Sequence, residues 1–238
     1  MLLFFDHGWM KRSNCCRSTA IFYALRPLVL ASASPRRISF LSQLGLPVKV
    51  LIPPQEAEPA PVPQEKPEAY VLRAALAKAH SALPLCGPDA GYSGAEARPV
   101  IIAADTIVAL RSRILGKPQT PGEAFAMLRD LSGKSHTVIT GCALLDGQAP
   151  RVFAVRSTVR MWDCPDALLR AYADSGEPAD KAGAYAIQGL GACLVRGITG
   201  SWSNVVGLPL AELVQALTHM RAIAPVAVEL GSAWEPPS

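Results

Sequence analysis

Apolar positions along the chain come in short runs and alternations separated by proline and glycine, which predicts alternating strands and helices. Leu28-Val29-Leu30-Ala31 reads as a buried strand. It leads through Ser32-Ala33 to Ser34, a good helix N-cap, and Pro35, a good first helical residue. Ile38, Leu41 and Leu44 then form an apolar stripe that Gly45 ends. Six prolines between 53 and 67 mark a loop, and the alanine-rich run from Pro67 to about Leu83 predicts a helix. Residues 84–99 read as a surface insertion. Val100–Ala104 is a buried strand expected to end at Asp105, with Ile107–Leu110 continuing it towards a tight turn at 111–113. Thr120-Pro121-Gly122-Glu123 is a capping box for a helix that turns Ala124, Met127, Leu128 and Leu131 inward and stops at Gly133. His136–Leu145 and Val152–Met161 predict a hairpin, the second strand alternating Phe153, Val155, Val159 and Met161 against Arg156, Thr158 and Arg160. Helices are expected from Pro165 to about Ser175 and from Pro209 to about Ala222, with strand and loop across the glycine-rich run 183–200.

Composition narrows the class. The 238 residues are 50% hydrophobic and 18% charged, which excludes a disordered chain and suits one α/β unit or two small lobes. The net charge of +4 is mild and no Lys/Arg run marks a nucleic-acid tract, so neither nucleic acid nor membrane is expected as a partner; no apolar stretch reaches the length of a membrane span. Six cysteines without metal-ligand spacing fit free thiols in a cytoplasmic protein. The expected organisation is an N-terminal extension over 1–26, poorly ordered and with Met10 as an alternative start, a domain over 27–222, and a C-terminal tail over 223–238, frayed after Pro225.

Candidate chemistry concentrates in three places. Ser32-Ala33-Ser34-Pro35-Arg36-Arg37 puts two arginines in the first turn of a helix, against the positive end of its dipole. A bound anion reverses that penalty, so hydroxyls, free N–H groups and guanidinium forks together read as a phosphate site; solvated arginines at an exposed helix start are the alternative. Asp105 sits where a buried strand opens to ligand, able to bind metal, deprotonate water or simply form a turn. Lys117, in Gly116-Lys117-Pro118, adds a cation nearby. In the segment 180–189, Gln188 carries an amide that can donate to a base carbonyl and accept from a ring N–H, as uracil or thymine requires, or serve a structural bond. No Walker loop, Gly-x-Ser-x-Gly elbow or helical histidine pair is present in the sequence.

Taken in order, Leu-Ala-Ser-Ala-Ser-Pro-Arg-Arg (30–37), Ala-Asp-Thr-Ile-Val (104–108), Gly-Lys-Pro (116–118), Leu-Ser-Gly-Lys-Ser-His-Thr-Val-Ile-Thr-Gly (131–141), Glu-Pro-Ala-Asp-Lys-Ala-Gly-Ala-Tyr-Ala-Ile-Gln-Gly (177–189) and Val-Val-Gly-Leu-Pro-Leu (205–210) resemble the Maf family of nucleotide pyrophosphatases over about residues 28–218. The resemblance implies an α/β fold like that of inosine triphosphate pyrophosphatases, a mixed sheet with flanking helices in two lobes around a cleft, often dimeric. It implies hydrolysis of a nucleoside triphosphate to monophosphate and pyrophosphate with a divalent cation, Mg²⁺ or Mn²⁺, clearing non-standard or excess nucleotides. Arg36 and Gln188 match the branch acting on dTTP and UTP, whereas a sister branch acts on 7-methyl-GTP. Asp105 would be the proton acceptor, Arg36, Thr106 and Gln188 the specificity positions, and Ser32, Arg37, Lys78, Lys117 and Lys181 further site residues. The family's acidic metal ligand after the second strand falls in Pro54-Gln55-Glu56-Ala57-Glu58-Pro59, where Glu58 is the choice and Glu56 the reserve. The rival readings are a nucleotide-binding regulator of cell division with little or no catalysis, and the same chemistry on a modified purine nucleotide such as 7-methyl-GTP.

Overall fold

The computed structural model describes residues 20–54, 59–86 and 98–226. The chain begins with strand β1 (Phe22–Ala24) and continues through β2 (Leu28–Ala31), helix α1 (Pro35–Gln43), β3 (Val48–Leu51) and α2 (Pro67–Ala82). Next come the long β4 (Val100–Leu110), β5 (Arg113–Leu115), α3 (Pro121–Leu131), and the hairpin of β6 (Ser135–Leu145) and β7 (Arg151–Met161). Helix α4 (Asp166–Asp174), a series of short 3-10 turns, β8 (Val195–Thr199), α5 (Trp202–Val206), α6 (Leu210–His219) and β9 (Ile223–Pro225) complete it.

Among the described residues the central sheet runs β3-β2-β4-β6-β7-β8, with β5 folded back on β4. It is mixed: β2 is parallel to both β3 and β4, and the remaining pairs are antiparallel. Alternation along β2 decides where the helices go. Leu28 and Leu30 face α1 and α6, while Val29 and Ala31 face Ala75, Ala79 and Ala82 of α2, so all four residues of β2 are buried. A parallel strand covered on both faces reads as the continuous apolar run seen in the sequence.

The connection from β2 leaves in one direction through α1 to β3, and the chain then returns past β2 through α2 to β4, with the two helices on opposite faces. Open α/β sheets form a ligand crevice at the carboxyl ends of strands where the order reverses in this way. The face opposite α2 carries two separate packings. One joins α1 and α6 to Leu30, Ile102 and Leu144, and the other joins α3 and α4 to Val108, Val138 and Met161. The gap between them continues the crevice into a cleft.

Three features differ from the sequence expectation. Asp105 does not end a strand; it lies in the middle of β4, an 11-residue strand, opposite Gly141. The strand runs on because β6 pairs with it from Ile101 to Ala109, whereas β2 accompanies it only as far as Ile102. The turn at 111–113 leads directly into β5, and Arg111 adopts a left-handed φ of 57° to make it. Residues 22–24 and 223–225, placed by the sequence in the terminal segments, pair as antiparallel strands. Residues 87–97 of the surface insertion lie outside the described residues.

Candidate active site

The cleft, of about 410 Å³, opens at the carboxyl ends of β2 and β3 and along the part of β4 that β2 leaves uncovered. It gathers Ser32, Arg36, Arg37, Lys78, Asp105, Thr106, Lys117, Lys181 and Gln188, every described residue that the sequence nominates. Glu56 and Glu58 lie outside the described residues; Pro53 and Pro54, just before them, line the cleft. Five cations, Arg36, Arg37, Lys78, Lys117 and Lys181, face two carboxylates, Asp105 and Asp180, which makes the cleft an anion site.

The two arginines at the start of α1 divide the work. Arg37 turns inward and spends its fork on the protein: Nε donates to the Gly207 carbonyl at 2.8 Å, Nη1 to Ser32 Oγ at 3.2 Å and Nη2 to Thr106 Oγ1 at 3.0 Å. It therefore ties the loop after β2, the middle of β4 and the end of α5 to one planar group. Ser34 makes no side-chain cap, and its N–H donates instead to Ser32 Oγ at 3.2 Å. Arg36 keeps a donor in reserve, since its buried Nε has no hydrogen-bond partner among the described residues. An unpartnered buried guanidinium N–H is costly unless a ligand takes it.

Asp105 and Thr106 are consecutive on β4 and so point to opposite faces. Asp105, 6% exposed, faces α2, where Lys78 Nζ donates to its Oδ1 at 2.5 Å. The approach of α2 depends on Gly141: a Cβ there would lie 2.5 Å from the Val71 carbonyl oxygen, so only glycine lets the helix sit directly over Asp105's neighbour. Lys78 is two turns beyond Val71 on the same side of α2. The second oxygen of Asp105, Oδ2, takes no hydrogen bond among the described residues.

Thr106 sits in a directed chain. Thr140 Oγ1 donates to the Asn204 carbonyl at 3.0 Å, so the 3.0 Å contact between the two threonine hydroxyls has Thr106 as its donor. Arg37 donates to Thr106 from the other side. With its proton directed to Thr140, Thr106 offers only a lone pair towards the cleft. Asn204, fully buried, anchors this chain through Nδ2 bonds to the Val138 carbonyl at 3.2 Å and Ser157 Oγ at 2.9 Å.

The other wall is the segment from Asp180 to Gln188. Gly183, with φ +70°, packs against β4 so closely that a Cβ would fall 2.8 Å from Val108 Cγ1, and its N–H donates to the Gly116 carbonyl at 3.0 Å. That contact brings Lys117 and Lys181 to one place. Lys181 pairs with Asp180, whose carboxyl lies below its usual range: burial works against ionisation, but the Lys181 bond and the Lys181 and Arg36 charges outweigh it. The Nζ of Lys117 has no partner among the described residues. Behind this wall Tyr185 shares a 2.7 Å hydrogen bond with His136 Nε2, and burial pushes His136 down to about 4. Gln188 is exposed and its amide makes no bond among the described residues.

Sequence reasoning missed three residues here. Thr140 and Glu177 lie inside quoted motifs, but Thr140's partners are 34 and 64 residues away, Glu177's are spread over residues 172, 190 and 191, and no spacing rule links them. Tyr172 reads as one more apolar position of α4; its hydroxyl role needs the fold. Among the described residues no group of three or more His, Cys, Asp or Glu could hold a metal ion, and no helix is long and apolar enough to cross a membrane.

Comparison with known proteins agrees with this geometry. A family profile described as "Maf-like protein" matches residues 27–220. The chain is 49% identical over 207 residues to a dTTP/UTP pyrophosphatase of Nitratidesulfovibrio vulgaris, covering 87% of this chain and 93% of that protein. Similar matches are a dTTP/UTP pyrophosphatase of Desulfotalea psychrophila, 46% identical over 84% of this chain and 97% of the other, and one of Oleidesulfovibrio alaskensis, 45% identical over 86% and 90%.

Proposed function

The chain belongs to the Maf family, and from that premise we propose that it hydrolyses dTTP and UTP to the nucleoside monophosphate and pyrophosphate in the cleft beside β4. The observation that carries the reading is the meeting, in one cavity, of five cations with a carboxylate, Asp105, that has one oxygen uncommitted among the described residues. Anionic phosphates fit the cations, and a hydrolytic water fits the free carboxylate oxygen.

The triphosphate lies against the Ser32–Arg37 loop, Lys117 and Lys181, with Arg36 supplying the unspent Nε. Water attacks the α-phosphorus, its proton passes to Asp105 Oδ2, and the bond from that phosphorus to the bridging oxygen breaks to release pyrophosphate. Lys78 holds Asp105 in place through Oδ1. Arg36 and Lys117 meet the charge that accumulates on the departing phosphates. Arg37 acts through Ser32 and Thr106, which it orients. For the base, Gln188 donates to a ring carbonyl, while Thr106, with only a lone pair to offer, accepts from a ring N–H that uracil and thymine carry and cytosine lacks.

Hard oxygen donors suit Mg²⁺ or Mn²⁺, and the chemistry of Asp105 together with substrate phosphates fits such an ion. Glu58, or Glu56 in its place, would hold it beside Asp105, whose Oδ1 and Oδ2 serve Lys78 and the attacking water. When bound, the cation neutralises phosphate charge and polarises the α-phosphoryl group. A cytoplasmic location is proposed on the free thiols of Cys86, Cys142, Cys164 and Cys193, and a homodimer on the family resemblance, to be read by sedimentation.

The test is release of pyrophosphate from dTTP, UTP, CTP, GTP and 7-methyl-GTP with Mg²⁺ present. Turnover of dTTP and UTP above the others is expected, and Asp105→Asn should lower kcat by about 10²–10⁴-fold with nucleotide binding retained. Orthophosphate as the sole product, or UTP binding without turnover by the wild type, refutes the assignment.

A further inference from the structure

We propose that Glu177 is a positioning residue for base selection, clamping the loop from Ala186 to Gly191 so that Gln188 presents its amide to the nucleobase. The proposal rests on the reading of Gln188 given above and extends it to a residue outside the cleft. Glu177 and Tyr172 do not line the cleft, whereas Ala186, Ile187 and Gln188 do.

One carboxylate and one phenol bracket Gln188 from both sides. Glu177 Oε1 accepts the Gly191 N–H at 2.9 Å and the Tyr172 hydroxyl at 2.9 Å, and Oε2 accepts the Leu190 N–H at 2.9 Å. Tyr172 Oη in turn accepts the Ala186 N–H at 3.1 Å. Backbone donors two residues before Gln188 and two and three residues after it thus converge on a single pair of side chains.

The loop is shaped for that approach. Gly189 has φ 87° and ψ −151°, a conformation open to glycine alone, and a Cβ there would stand 2.6 Å from Glu177 Oε2. A Cβ on Gly191 would stand 2.5 Å from both Tyr172 Oη and the Ala186 carbonyl oxygen. On the other side, Gly176 turns left-handed at φ 80° immediately before Glu177.

Satisfaction of the N–H groups does not by itself require a carboxylate. Leu190 is exposed, and water would solvate its donor, whereas the Ala186 and Gly191 donors belong to buried residues. What a charged acceptor with three partners adds is a fixed loop conformation, since charge-assisted bonds are shorter and stronger than neutral ones. A free Gln188 would sample many orientations of its amide, and a reader of base edges works only when its donor and acceptor are held in register. Consistent with this, the backbone bonds from Gly191 and Leu190, the Tyr172 hydroxyl and the Lys181 charge hold Glu177 below the usual carboxylate range against the opposing effect of burial.

The experiment measures kcat and KM for UTP and CTP in wild type, Glu177→Gln, Glu177→Ala, Tyr172→Phe, Gln188→Ala and the Glu177→Ala/Gln188→Ala pair, with amide hydrogen exchange at Leu190 and Gly191. The clamp predicts that the Glu177 variants lower kcat/KM for UTP about tenfold, chiefly through KM, and shrink the UTP-over-CTP preference. Exchange at Leu190 and Gly191 should accelerate. Glu177→Ala should add less than twofold to that loss of preference once Gln188 is gone. Tyr172→Phe, the milder change, should move the preference in the same direction, which keeps the test open if Glu177→Ala folds poorly. If Gln188→Ala reduces the preference but the Glu177 and Tyr172 variants leave it intact, the clamp is refuted and base reading stands. If Gln188→Ala itself leaves the preference unchanged, the base-reading role falls and the clamp falls with it.

Discussion

Two adjacent arginines of the same type, one turn into the same helix, carry opposite expectations. Arg37 bonds to Gly207, Ser32 and Thr106, so Arg37→Ala leaves a carbonyl and two hydroxyls short of a donor. It should cost about 2–3 kcal/mol, a fall in Tm of roughly 4–12 °C, together with activity. Arg36→Ala removes an unbonded Nε and a charge that reaches Asp180 without a salt bridge to it, so Tm should shift by no more than about 2 °C while KM rises about tenfold or more. Calorimetry beside steady-state kinetics separates the two. His136 supplies a pH signature. Its folded-state value of about 4 lies below the ordinary 6.5, so between those values the unfolded chain binds more protons and stability falls with falling pH. The full contribution, about 3 kcal/mol, is present above pH 6.5 and is lost on descent towards pH 4. Urea titrations every half unit from pH 7.5 to 4.5 read the slope, and His136→Gln, which keeps a polar partner for Tyr185 but does not titrate, should flatten it.

At the scale of elements, the site is a consequence of where strands stop and how near helices approach. β4 outruns β2 by several residues, and the stretch that β2 leaves uncovered holds Asp105 and Thr106. Gly141 sets the height of α2 above it. Gly141→Ala would place a Cβ 2.5 Å from the Val71 carbonyl, and backbone cannot rotate away as a side chain can. The expected cost is about 1–3 kcal/mol, with α2 lifted and Lys78 drawn off Asp105, so that kcat falls further than the stability loss alone explains. A crystal structure of the variant checks the helix displacement, and unchanged Lys78–Asp105 contact with lowered kcat would contradict it. These element relations also mark what the sequence could show. Strand-loop-helix at 28–43, the capped helix at 121–131 and the hairpin of β6 and β7 were legible because each depends on local caps and alternation. The end of β4 was misplaced at Asp105 because a polar residue inside an apolar run imitates a boundary, and only pairing with β6 carries the strand through it. Arg36, Arg37, Lys117 and Gln188 were legible by type and motif. The division of labour between Arg36 and Arg37 was not, since it depends on Gly207, 170 residues away along the chain.

For the whole molecule, the two ends of the domain close on each other away from the cleft. β1 pairs with β9 near the amino end of β2, while the cleft lies at its carboxyl end. Phe22 and Ala24 pack against the core under α1 and α6, beside the fully buried Ala222 and Ile223. Arg26 extends the closure: Nη1 pairs with Asp146 at 3.0 Å, both side chains being mostly buried, and Nε and Nη2 donate to the Arg98 carbonyl at 3.2 and 2.9 Å. One arginine thus joins the entry to β2, the segment before β4 and the end of β6. By this geometry a chain beginning at Pro27 loses strand pairing for β9, the apolar contact of Phe22 and the partner of Asp146. Taking the Arg26 cation from the mostly buried Asp146, which then keeps among the described residues just the Gln148 N–H on Oδ1, dominates the cost, which should reach about 3 kcal/mol, or roughly 6–12 °C in Tm. A chain beginning at Ala20 keeps all three and is the reference against which the loss is read. Because the lost contacts sit at the far end of the sheet, the shorter chain should retain wild-type kcat for UTP at temperatures where it remains folded. Loss of kcat in a chain shown folded by circular dichroism would mean that the terminal strand pair reaches the cleft through β2, a coupling that the separation of the two ends argues against.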